Sequence, residues 1–270
     1  MTTNISGFID TLVKKLTTLS SSDRLYANIP KVLGVGHLAL LFLSGISLVM
    51  GIFTCIRFGS LTFAGYGTAA ALLLLSAQYV ATKSFILLSD IIENHPSKIS
   101  GPALTEIFAI LQLIGALFGA FLILRGIAQG FLFTRIAYGL FMLIILYLAS
   151  GLLAQADKHL NAQYDTTLTL AEQFLGLLNL FCKALAKLTP YIYATGVTVM
   201  TLMAIAPMVI LLVRGQAAWT SAVQAGCLLS SAVVFALTPI ILYILLMLVY
   251  LLTDVLKALL DYGKIGRLKT

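Results

Sequence analysis

What most constrains this chain is an absence. No Asp, Glu, Lys or Arg occurs from Val32 to Ile56 and none from Phe58 to Thr82, so two runs of 25 residues flank the single charge of Arg57. A helix needs about 20 apolar residues to cross a hydrocarbon core about 30 Å thick, so each run is long enough to cross once. Only a helix or a closed barrel satisfies its own backbone polar groups in lipid, and unbroken runs of this length read as helix. Arg57 then belongs at the turn between them, because a charge at mid-depth costs about 3 kcal/mol or more. The pattern returns around Arg125, between Ile107–Leu124 and Ile136–Ala156, and around Arg214, between Leu188–Val213 and Gly215–Thr253. The expected fold is an all-α integral membrane protein with six transmembrane helices arranged as three helical hairpins, plus two interfacial amphipathic helices.

The chain has 60% hydrophobic and 10% charged residues, far from the roughly 25% charged of soluble proteins. Outside the spans too little remains for a soluble catalytic domain of about 50 residues or more. The expected order is an N-terminal amphipathic helix in residues 1–30, a first hairpin in 32–95 and a second in 102–158. A second amphipathic helix in 159–189 and a third hairpin with a basic tail in 190–270 complete the chain. In the first amphipathic stretch Ile5, Phe8, Ile9, Leu12, Val13, Leu16 and Leu19 share one helical face, with Lys14 and Lys15 off it. In the second, Leu170, Phe174, Leu177, Leu178, Phe181, Leu185 and Leu188 do the same, with Glu172, Lys183 and Lys187 elsewhere. Both patterns suit helices lying among headgroups.

The net charge of +7 is read as topology and attraction to anionic headgroups rather than as a nucleic-acid signal. The side bearing both termini carries 13 of the 17 Lys and Arg, which points to cytoplasmic termini in a plasma or bacterial inner membrane. Each hairpin repeats a turn arginine followed by an aromatic residue, Phe63, Phe131 or Trp219. Arg57, Arg125 and Arg214 are therefore candidate contacts for headgroups at separate sites, or a cationic ring facing an anionic solute or acidic partner. Gly115 and Gly119 form a GxxxG, a candidate for close helix packing within the chain or in an oligomer.

No chemistry-bearing constellation stands out. The middle of every expected span lacks Asp, Glu, Lys, Arg and His, leaving neutral groups such as Gln78, Gln112 and Gln224. Cys55, Cys182 and Cys227 have no CxxC spacing, His37, His95 and His159 have no metal-ligand spacing, and no phosphate-binding glycine motif occurs. No cofactor, metal, catalytic residue or nucleic acid is expected. Hydrophobic hairpins with both ends cytoplasmic and joined to amphipathic helices resemble, in hydropathy outline, the membrane-shaping reticulons and the bilobed inclusion-membrane proteins of intracellular bacteria. The expected role is a non-enzymatic scaffold, assembly or membrane-shaping component that contacts lipids and other membrane proteins or its own copies. The alternative is a channel or carrier for a small neutral or anionic solute.

Overall fold

The computed structural model describes residues 28–130, 133–213 and 218–267. The expected N-terminal helix therefore lies almost wholly outside the described residues, as do Phe131, Arg214 and the last three residues. The elements in chain order are α1 (Ile29–Phe58), α2 (Leu61–Asn94), β1 (Ser97–Ile99), α3 (Ala103–Ala128), α4 (Phe133–Ala154), α5 (Ala156–Leu160), β2 (Ala162–Tyr164), α6 (Leu170–Val213) and α7 (Ala218–Arg267). Among the described residues α1, α2, α3, α4, α6 and α7 are the six helices long and apolar enough to cross a membrane. This is an all-α membrane protein.

The helix boundaries depart from the sequence-based expectation in one place. Residues 159–189 do not form a separate helix: α5 closes at Leu160, β2 follows, and α6 runs 44 residues from Leu170 through Thr189 to Val213. At 1.5 Å per residue that is about 66 Å, twice the thickness of a hydrocarbon core. Pro190, which marks a boundary in sequence, sits inside α6. It removes one N–H from the ladder, and the apolar residues on both sides carry the helix past that gap. The start of α6 is set by a reciprocal cap. Glu172 accepts from the Thr169 N–H at 2.8 Å and from its hydroxyl at 2.7 Å, while the Glu172 N–H reaches back to the Thr169 oxygen at 3.4 Å.

The chain forms two compact units. One comprises Tyr26–Ile86 and Thr189–Ile240, and so contains α1, most of α2, the second part of α6 and the first part of α7. Its core joins Leu40, Leu43, Leu74 and Val197 to many small residues, including Ala77, Ala81, Ala204, Ala232 and Ala236. Small side chains let helix backbones approach, which replaces the hydrophobic drive that lipid does not supply. At the tightest point α1 and α2 cross at Gly51 and Gly67, where a Cβ on Gly51 would lie 2.8 Å from the Gly67 Cα. The Ser47 hydroxyl bridges the same crossing to the Gly67 carbonyl at 3.2 Å. Thr201 of α6 donates to the Ala39 carbonyl of α1 at 3.1 Å. Gly59, with φ of 63°, closes α1 in the left-handed conformation that glycine adopts without strain.

Among the described residues, the other unit comprises 87–188 and 241–267. Here α3 and α4 pack along each other through small residues, and a Cβ on Gly119 would meet the Leu143 backbone N at 2.7 Å and the Gly139 carbonyl at 2.9 Å. No strand is expected from the sequence, yet β1 and β2 pair in parallel, Ser97 opposite Ala162 and Ile99 opposite Tyr164. Flanking bonds extend this ladder, from the Ser97 N–H to the Asn161 carbonyl at 3.0 Å and from the Asp165 N–H to the Ile99 carbonyl at 2.9 Å. Asn161 takes the left-handed conformation that ends α5, and its side-chain amide donates to the Glu93 carbonyl at 2.9 Å. Gly176 of α6 lies directly against the Lys98 carbonyl of β1, with no room for a side chain.

Candidate functional site

The first part of α6 buries one of its charged residues. Leu175, Gly176, Asn179, Leu180, Lys183 and Ala184 are buried, whereas Leu170 and Phe174 of the apolar stripe are 84% and 64% exposed. Lys183, which helical periodicity assigns to the polar surface, is 0% exposed. Its ammonium donates to the His95 carbonyl and, at 3.2 Å, to the Leu160 carbonyl. His95 follows the last residue of α2 and Leu160 is the last residue of α5, so both acceptors stand at helix C-termini. Such carbonyls lack helical donors and carry the negative end of the helix dipole, about half an elementary charge. No carboxylate pairs with Lys183 among the described residues; two helix ends supply its negative counterpart.

Other polar groups gather in the same unit. The His95 and Tyr250 rings lie 5.2 Å apart, and Thr253 reaches Asn179 Oδ1 at 3.4 Å and the Val249 carbonyl at 2.7 Å. The Ser97 and Tyr250 hydroxyls are buried with no hydrogen-bond partner among the described residues. At the rim, Asp165 accepts from the Thr167 hydroxyl at 2.7 Å and N–H at 3.0 Å, and those bonds hold its carboxyl below the usual range. Tyr164 is pushed above its ordinary value by burial and by the charge of Asp157. Lys183 is thus a clamp that ties α2, α5 and α6 together beside β1 and β2.

A second polar cluster lies in the unit built from residues 26–86 and 189–240. The Tyr193 hydroxyl stands 2.9 Å from His37 Nδ1, and the Thr82 hydroxyl 3.4 Å from Nε2. Thr82 spends its one proton on the Gln78 carbonyl at 2.9 Å. Nε2 therefore donates to Thr82, and Nδ1 shares a hydrogen bond with the Tyr193 hydroxyl. Tyr193 is fully buried, with Phe85 edge-on at 5.6 Å, and Gly36 leaves space for its ring. The three members come from α1, α2 and α6 and lie too far apart in sequence for any motif to signal them.

The residues singled out in sequence lie on several elements. Arg57 is exposed in the last turn of α1 and Arg125 in the last turn of α3, in different units, while Arg214 lies outside the described residues. Gly119 faces α4, and Gly115 faces the Leu146 side chain of the same helix. Gln78 and Gln112 are half-buried and Gln224 is exposed. Cys55, Cys182 and Cys227 are free thiols, and no group of three or more His, Cys, Asp or Glu suited to a metal occurs among the described residues. Comparison with protein-family models, with curated proteins and with solved structures gives no match for this chain.

Proposed function

We propose that this chain is a non-enzymatic membrane component that assembles with other membrane proteins or shapes the bilayer, built as three hairpins with both termini cytoplasmic. The observation that supports this reading best is the outer face of α3. Only 17% of its most apolar window is buried, against 44% for its neighbour α4. Ile107, Leu111, Ile114, Phe118 and Phe121 form a continuous ridge on the face opposite Ala109, Ala116 and Gly119. Phe118 and Phe121 stack with centroids 6.1 Å apart, giving a broad aromatic surface of the kind enriched at protein contacts. A carrier reading would gain support from glutamines lining a polar cavity; Gln78 and Gln112 are half-buried and Gln224 is exposed.

A photo-crosslinking residue placed at Phe118 in cells should yield protein adducts, either a second copy or a partner. The same residue at Ala116, which is buried, should yield none beyond this chain. Lipid adducts alone at Phe118 would remove the assembly reading. Orientation is checked separately with single cysteines. An impermeant thiol reagent applied to intact cells should modify a cysteine at Ser60 and spare one at the exposed Asn94; the reverse pattern would invert the assignment.

A further inference from the structure

In the unit formed by residues 26–86 and 189–240, α1, α2 and α7 leave a groove of about 330 Å³. Its lining includes the Gly51–Gly67 crossing and the side chains of Met50, Phe63 and Leu229, and it opens beside Tyr66, which is 69% exposed. Besides the Tyr66 phenol, three serine and threonine hydroxyls line it, and each of these has spent its proton on backbone. Ser47 shares its proton between the Ser44 carbonyl at 2.9 Å and the Gly67 carbonyl at 3.2 Å, Thr54 donates to Met50 at 2.6 Å and Ser230 to Gly226 at 3.0 Å. With those donors satisfied, the walls present mostly C–H surface, and apolar cavities of this kind stay dry and accept apolar matter.

Size and depth narrow the occupant. A partner helix about 10 Å across would fill that volume with less than one turn, so the groove is too small for a helix. Along α1 it lies from three residues before Arg57, at Thr54, to ten before it, at Ser47. That is about 5 to 15 Å from the charged end of the helix, the depth of acyl carbons below a headgroup. Arg57 is exposed at that end, where a guanidinium suits a phosphate. We propose that the groove holds one acyl chain of a bilayer phospholipid whose phosphate sits at Arg57.

The test uses the full chain in phosphatidylcholine vesicles that carry a trace of phosphatidylglycerol with a photoreactive group on its acyl chain. Labelled peptides should concentrate on the stretches around Gly51–Ala70 and Val223–Ser230. Gly226→Leu adds a side chain where a Cβ meets only open space, and it should cut labelling by about fivefold or more. Gly34→Leu, at an equally open position away from the groove, should leave it unchanged. If Gly226→Leu does not elute as a folded species in gel filtration, Ser230→Phe, at an exposed position, is read in its place. Arg57→Gln should lower labelling by the phosphatidylglycerol probe and spare labelling by a diacylglycerol probe with the same photoreactive chain. Label spread evenly over the exposed helix faces, or groove variants that label like wild type, would overturn the site. Equal loss of both probes in Arg57→Gln would overturn the assignment of the phosphate.

Discussion

The two units of this protein solve the same problem by different means. In the unit built from residues 26–86 and 189–240, helices meet through alanine and glycine, and the backbones at Gly51 and Gly67 are in direct contact. In the unit that carries β1 and β2, a fully buried lysine bonds to the ends of two helices, and a two-stranded ladder lies against a third. The first depends on shape and tolerates no added volume at its crossings. The second also packs through glycine, at Gly119, Gly139 and Gly176, and adds a buried charge whose carbonyls have to be satisfied. Small-residue packing spreads stability over many contacts of a few tenths of a kcal/mol, whereas a buried charge concentrates several kcal/mol in one side chain.

The largest effect is expected at Gly176→Ala. The added methyl coincides with the Lys98 carbonyl, which is backbone and cannot swing aside, so either β1 or α6 has to move. The cost should be about 3 kcal/mol or more, at the upper end of overpacking, read as a loss of thermal stability in detergent. Wild-type stability would mean that β1 does not rest on α6.

Lys183→Met is expected to cost somewhat less. Replacing a buried charge by an apolar residue of similar length is often neutral when its partners leave too, but here two helix-end carbonyls remain without donors. At about 1 to 3 kcal/mol for each of the two unsatisfied carbonyls, less the ammonium desolvation that the change relieves, the loss should come to about 2 to 4 kcal/mol in chemical denaturation. A stabilised variant would show that desolvation of the ammonium outweighs its bonds.

Tyr193→Phe is expected to have the smallest effect. It removes one hydroxyl from His37 and keeps the ring against Phe85, so the unit should lose about 1 kcal/mol. A loss as large as that of Lys183→Met would mean that this unit also hangs on a polar cluster, and the contrast between the two would fail.

The spans are legible in the sequence because a charge-free run of 25 residues is longer than a soluble core helix tolerates and matches the thickness of a bilayer. The inward position of Lys183 is not. Periodicity does not say which side of α6 faces protein when lipid is as good a solvent for leucine as a core is. Leu170 and Phe174 lie outward for that reason, and Asn179 and Lys183 inward. Three-residue strands are too short to show alternation, which hides β1 and β2. The start of α6 is readable, since Thr169 and Glu172 have capping-box spacing ahead of an apolar run. Its continuity past Pro190 is not, because proline signals a boundary more often than an interior position.

The lysine clamp is tested most directly by amide hydrogen exchange on the full chain in lipid nanodiscs, comparing wild type with Lys183→Met. The bonds from Ser97 to Asn161 and from Asp165 to Ile99, and the ladder between them, should lose protection by about ten- to a hundredfold, corresponding to about 1.4 to 2.8 kcal/mol of local opening. Amides at Leu40, Leu43, Leu74 and Ala77 should keep their wild-type exchange. Unchanged protection along β1 and β2 in the variant would contradict the assignment of Lys183 as the group that holds this unit together.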